Sequence, residues 1–207
     1  MPVDSTEPRA GRLCRFAFFA AAAGLILCLG HILPSRAAEP ALQEQLAVCA
    51  GCHGENGVSA MENTPSLAGH PVLYTQIQLF LFREGQRVNE AMNAVAAGMS
   101  DDRLTELAEH YAKLPPVPPS AAPDPALDAR GREIAESHYC GACHLPDYAG
   151  RDQMPRLAGQ REDYLLKALR DYKTGARAGD GAQMAEVVYG LGEEDLKAVA
   201  HHIAHFK

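Results

Sequence analysis

Cys49-Ala50-Gly51-Cys52-His53 places two thiols three positions apart and a histidine directly after the second. The pattern returns 91 residues later as Cys140-Gly141-Ala142-Cys143-His144. Three chemistries use paired thiols. A structural zinc site takes four ligands in closed tetrahedral geometry. The four cysteines could supply them, but then His53 and His144 have no reason to follow each pair. A thioredoxin-like redox pair belongs beside a βαβ pattern, and the sequence shows none. Covalent haem attachment uses all of the motif. The two thiols add to the two vinyl groups, a two-residue gap on a helical turn spans that distance, and the histidine is delivered under the iron. The sequence therefore predicts two covalent haem c groups, on Cys49 and Cys52 and on Cys140 and Cys143, with His53 and His144 as axial ligands.

The second axial ligand follows by elimination. Methionine is a common partner of histidine in cytochromes c. Met61, Met92, Met99, Met154 and Met184 follow residue 37. Aligning the two halves on the motifs pairs Met92 with Met184, whereas Met99 pairs with Leu191 and Met154 with Thr64. Met61 stands only eight residues after His53, too near to reach the opposite face. The spacings agree as well: 39 residues from His53 to Met92 and 40 from His144 to Met184. Met92 and Met184 are thus the expected ligands, against the alternative that they only fill core gaps.

The elements that must position these groups are themselves repeated. "PSLAGH" from Pro65 matches "PRLAGQ" from Pro155, Tyr74 matches Tyr164, and the segments ending at Arg87 and Arg177 keep a Gly and the Arg. Pro65 and Pro155 could offer a carbonyl to the proximal histidine, or be plain turn prolines. Arg87 and Arg177 could neutralise haem propionates, or be solvated helix-end residues. The proline-rich stretch 113–125 reads as a semi-rigid linker. Domains are expected at 39–114 and 126–207. Both are read as all-α: Leu104, Leu107, Ala108 and Tyr111 keep helical spacing, and so do Leu196, Val199, Ala200 and Ile203. Ser100 is the expected cap of the first of these helices, and a middle helix is expected from about Pro71 to Gly85. Units of about 80 residues have little core of their own, so a large apolar cofactor would help them fold. His70, His110, His138 and the C-terminal His201, His202 and His205 have no paired role and are read as surface residues rather than as a metal cluster.

Residues 1–37 read as an export signal. Arg9, Arg12 and Arg15 precede an 18-residue apolar run, Phe16 to Leu33, and small residues flank Arg36 at a cleavage site after Ala37. The alternative is an uncleaved anchor that would associate the protein with the membrane, although about 20 residues are needed to span. Export implies a periplasmic location. The net charge of −7 argues against a nucleic-acid partner, which needs basic faces. Residues 39–114 carry net −6 and residues 126–207 net −2, so the two domains would steer encounters differently.

With these residues in hand the chain resembles the di-haem cytochromes c of the c4 type, a duplicated class I cytochrome c. The resemblance rests on "CAGCH" and "CGACH", "PSLAG" and "PRLAGQ", and the methionine segments before each final helix. It implies two tandem class I domains related by a pseudo-twofold axis, with one haem each and His/Met ligation. It also implies an electron carrier rather than an enzyme, passing electrons towards a terminal oxidase by way of redox protein partners such as a membrane cytochrome complex. Two alternatives are the cytochrome subunit of a dehydrogenase, such as a flavin-containing sulfide dehydrogenase, and a two-haem peroxidase. The second needs an open iron, which paired methionines argue against. The proline that this family often has soon after the methionine is absent from "MNAVAAG" and "MAEVVYG".

Overall fold

The structure, a computed structural model, describes residues 39–119, 122–177 and 181–207. The export segment read over 1–37 lies outside the described residues, as do Ser120 and Ala121 of the linker. The described residues are helical, with one isolated β-bridge between Arg151 and Met154. None of their helices is long and apolar enough to cross a membrane.

The first half holds α1 (Leu42–His53), α2 (Val72–Arg83), α3 (Glu90–Ala96) and α4 (Asp101–Ala112). α1 carries the first thiol motif in its last turns and stops at Gly54, whose φ of 79° ends the helix. α2 follows Pro71, as expected, and stops two residues before Gly85. Asn89 caps α3 by accepting the Met92 N–H at 3.0 Å, and Ser100 caps α4 by accepting the Arg103 N–H at 3.1 Å. Leu104, Leu107, Ala108 and Tyr111 are buried along one face of α4. That face packs against α2, and Leu42 and Leu46 of α1 pack against the same cluster. Phe82, Ala96, Met99, Leu104 and Leu107 form this half's core.

The second half repeats the plan with one difference. α5 (Pro125–Ser137) and α6 (Cys140–His144) stand where the first half has a single helix, and α7 (Glu162–Thr174), α8 (Ala182–Val188) and α9 (Glu193–Ala204) follow. The break falls at Tyr139, whose φ of 55° is left-handed. Asp124 caps α5 through the Ala126 and Leu127 N–H groups, with Pro125 in the first turn. α5 and α7 both pack on α9, where Leu196, Val199, Ala200 and Ile203 are buried. The α5–α9 crossing is very close. A Cβ on Gly131 would lie 2.6 Å from the His202 Cβ and would also meet the Ala198 carbonyl.

This packing corrects the surface reading of the C-terminal histidines. His201 and His202 are buried. His201 Nε2 accepts the Asp124 N–H at 2.9 Å, which leaves Nδ1 to donate to Glu162 at 3.1 Å. His202 Nδ1 lies 2.8 Å from Asp128 Oδ1, and His205 Nδ1 donates to the His201 carbonyl at 2.8 Å. α9 is covered on two sides, so its polar positions fall into seams lined by acceptors from α5 and α7. Glu162, His201 and His205 therefore form a hydrogen-bonded clamp. His70 is also buried rather than exposed, for a reason that lies at the junction of the halves.

That junction is polar. The Gln160 amide pairs twice with the Ser66 backbone, accepting its N–H at 2.8 Å and donating to its carbonyl at 2.9 Å. Tyr74 N–H donates to Asp152 O at 3.0 Å, and Arg161 donates to Ser59 O at 3.2 Å. The linker passes over both Leu-Ala-Gly turns. A Cβ on Gly69 would lie 3.0 Å from the Pro116 Cβ, and one on Gly159 would meet the Val117 carbonyl. Both glycines also have positive φ, so each turn needs a residue without a side chain twice over.

Gly131→Val should destabilise the protein by about 1–3 kcal/mol, the usual range for overpacking a closed contact. Denaturant unfolding of the holoprotein measures this. An unchanged midpoint would mean that the α5–α9 crossing can open without loss.

Candidate haem sites

A carbonyl-held imidazole organises each half. His53 Nδ1 lies 2.8 Å from Pro65 O, and His144 Nδ1 lies 3.1 Å from Pro155 O. A carbonyl only accepts, so each Nδ1 carries the proton and each Nε2 keeps its lone pair. Burial holds both imidazoles below their ordinary value, with the carbonyls pulling the other way. Both rings are thus neutral near pH 7, the form that binds a metal.

The loops that bring these carbonyls into place share one device. In the first half the Gly57 carbonyl accepts the N–H groups of Leu67 and Ala68, at 2.7 and 3.1 Å. In the second, the Tyr148 carbonyl accepts those of Leu157 and Ala158, at 2.8 and 3.2 Å. Both accepting residues are left-handed, with φ of 68° and 52°. Glycine takes that conformation freely, whereas tyrosine is strained in it and is held by its surroundings. The Tyr148 ring is buried and meets Phe206 edge-on at 4.8 Å.

The four motif cysteines form no disulfide with one another. Cys52 and Cys143 are exposed, while burial pushes the Cys49 and Cys140 thiols up. The Tyr111 hydroxyl hydrogen-bonds Cys49. In the second half Cys140, Cys143 and His144 open onto a cavity of about 370 Å³, mostly apolar in lining, with Met184 and Arg177 among its walls. Met154 also lines it, but directly precedes the proline that contacts His144. Met92 packs from α3 against the first half's core, and Met99 lies inside that core, 5% exposed.

Arg87 and Arg177 are not solvated helix ends. Each crosses to the other half. Arg87 donates to the Tyr164 hydroxyl at 3.1 Å, and Arg177 lies 3.4 Å from the Tyr74 hydroxyl. The Gln78 side-chain oxygen accepts from both, at 2.5 and 3.0 Å. Among the described residues neither forms an ion pair with a carboxylate.

The cavity offers a test of fit. Among the described residues, three buried side-chain polar atoms lack a hydrogen-bond partner: His70 Nδ1, Arg156 Nε and Arg177 Nε. All three residues line this one cavity. Buried donors are rarely left unpaired. A large apolar group carrying anionic carboxylates, held by two thiols and an imidazole, satisfies the walls and the orphaned donors together. The residues fit a covalent haem. His70 and Arg156 escaped the sequence reading because they interrupt the repeat: Arg156 aligns with Ser66, and His70 with Gln160.

Comparison with known proteins agrees. The cytochrome c family pattern matches residues 129–207. Cytochrome c4 of Pseudomonas aeruginosa is 32% identical over 190 residues, covering 86% of this chain and 94% of that protein. The thiosulfate dehydrogenase electron acceptor of Thiomonas intermedia is 32% identical over 171 residues, covering 77% and 79%. Reduced recombinant cytochrome c4 from Pseudomonas stutzeri superposes with a TM-score of 0.71 at 29% identity, covering 80% of this chain and 97% of that one. Two helical class I units, each with a thiol-thiol-histidine motif, define a di-haem c-type cytochrome. The chain belongs to the cytochrome c4 family.

Gln160→Leu removes both amide contacts to the Ser66 backbone. It should lower the unfolding free energy by about 1–3 kcal/mol, the cost of leaving buried partners unpaired. A denaturant midpoint equal to that of the parent would show that this contact does not join the halves.

Proposed function

We propose that this chain is a periplasmic two-haem electron carrier that passes electrons towards a terminal oxidase. The carrying observation is the pair of imidazoles, one in each half, with Nδ1 on a proline carbonyl and Nε2 left to coordinate. His53 and Met92 would hold one iron, His144 and Met184 the other, with thioether links at Cys49, Cys52, Cys140 and Cys143. Haem iron supplies the one-electron couple. The protein's part is to hold the ligand set constant. Pro65 and Pro155 fix ring orientation and tautomer. Methionine sulfur raises the potential of a site relative to a second histidine. The apolar walls of the second cavity exclude water and favour the less charged, reduced state. With a histidine and a methionine holding each iron, the sites would exchange electrons and would leave no place for a substrate there, which fits a carrier rather than a peroxidase. Arg87 and Arg177, held where the halves meet, would balance the carboxylate charge of the haems.

A second reading has its own support. One relative carries the name of a thiosulfate dehydrogenase electron acceptor, so this chain could serve a dehydrogenase as its immediate acceptor. A donor enzyme that co-purifies with the chain and reduces it faster than any membrane cytochrome complex does would favour that reading.

The ligand set is tested by spectroscopy on exported holoprotein. Met–iron(III) ligation gives a weak long-wavelength charge-transfer band in the oxidised state. Met92→Ala and Met184→Ala should each remove about half of it, since each site contributes one of the two Met–iron bonds. Met99→Ala should leave it intact. Loss of the band in Met99→Ala instead would overturn the assignment.

A further inference from the structure

The three buried orphan atoms do not belong to one half. Arg156 and Arg177 come from the second, and His70 comes from the first. Their sites are close enough that both guanidinium charges act on His70, whose imidazole burial drives down to about 4, with the Ser66 backbone opposing and those charges assisting. The Tyr74 ring lies 5.0 Å from the His70 ring, and Gln160 Nε2 lies 3.4 Å from His70 Nε2. None of the three basic residues has a carboxylate partner among the described residues. At the repeat-related positions stand Ser66 in the first half, with its backbone closed by Gln160, and Gln160 itself in the second. The asymmetry is therefore written into two aligned positions, Ser66 against Arg156 and His70 against Gln160.

We propose that His70 reaches across from the N-terminal half and completes, with Arg156 and Arg177, an anion pocket for the propionates of the C-terminal haem. One half thereby helps to set the redox site of the other. The inference rests on the functional reading above, since it requires a haem in the C-terminal cavity. Two guanidinium groups and one ring donor face the carboxylates there. They offset negative charge that would otherwise stabilise the oxidised iron, and so raise that haem's potential. The N-terminal site has no counterpart to Arg156. His70 is a positioning residue: it acts through the propionates and does not touch iron.

The test is a redox titration of the holoprotein and its variants under anaerobic conditions. The C-terminal haem is the step that Met184→Ala moves. Arg156→Ser, which installs the residue of the other repeat, should lower that step alone. Electron sharing should shift about tenfold towards the N-terminal haem, or ~59 mV for one electron. Arg156→Lys keeps the charge and should restore most of the change. His70→Leu should move the same step in the same direction by less, and His70→Gln, which keeps a donor, should not. Equal movement of both steps, or of neither, in an Arg156→Ser chain that holds two haems overturns this inference alone. A parent chain with fewer than two haems overturns the functional reading beneath it.

Discussion

The structure depends on a single requirement made twice: an imidazole must keep one nitrogen free while its other nitrogen is held. The carbonyl that holds it comes from a proline 12 residues away in the first half and 11 in the second. Bringing that carbonyl back forces a tight loop, and the loop closes on one backbone oxygen that accepts two N–H groups. That oxygen belongs to a left-handed residue in both halves. Gly57 meets the requirement without cost, whereas Tyr148 meets it under strain and is packed into the C-terminal core. The same geometry thus rests on backbone freedom in one half and on ring packing in the other.

Duplication explains why the halves meet through polar groups. Each half has its own apolar core, and polar contacts are left to hold the junction. What remains is backbone amide, the Gln160 side chain, and two arginines that exchange tyrosine partners across the boundary. A pair of related units can meet symmetrically only while aligned positions carry like residues. Where they do not, at Ser66 and Arg156 and at His70 and Gln160, charge gathers on one side. Loss of strict symmetry is what gives two chemically similar sites different electrostatic surroundings.

Most of the site was legible from spacing. The motif cysteines and histidines, and the helices that bury Leu104 to Tyr111 and Leu196 to Ile203, are local patterns, and the structure shows those helices in place. The prolines were legible only as candidates, because a carbonyl contact 12 residues away is not a pattern of residue types. The histidines show where such reading stops. His70, His201 and His202 have no helical or repeat signature that separates them from surface residues. Their burial is decided by which helix or turn comes to lie against them, and that is a long-range property. The break between α5 and α6 was equally hidden, since no glycine or proline at Tyr139 announces a left-handed residue.

The central claim is that each half holds one haem and that the chain carries two. Haem stoichiometry on exported protein measures this directly, by a pyridine haemochrome assay together with the mass of the chain under denaturing conditions. The account predicts two c-type haems per chain, both retained after denaturation because both are bound through thioethers. A single haem, haem released on denaturation, or stoichiometric zinc on the cysteines would contradict it.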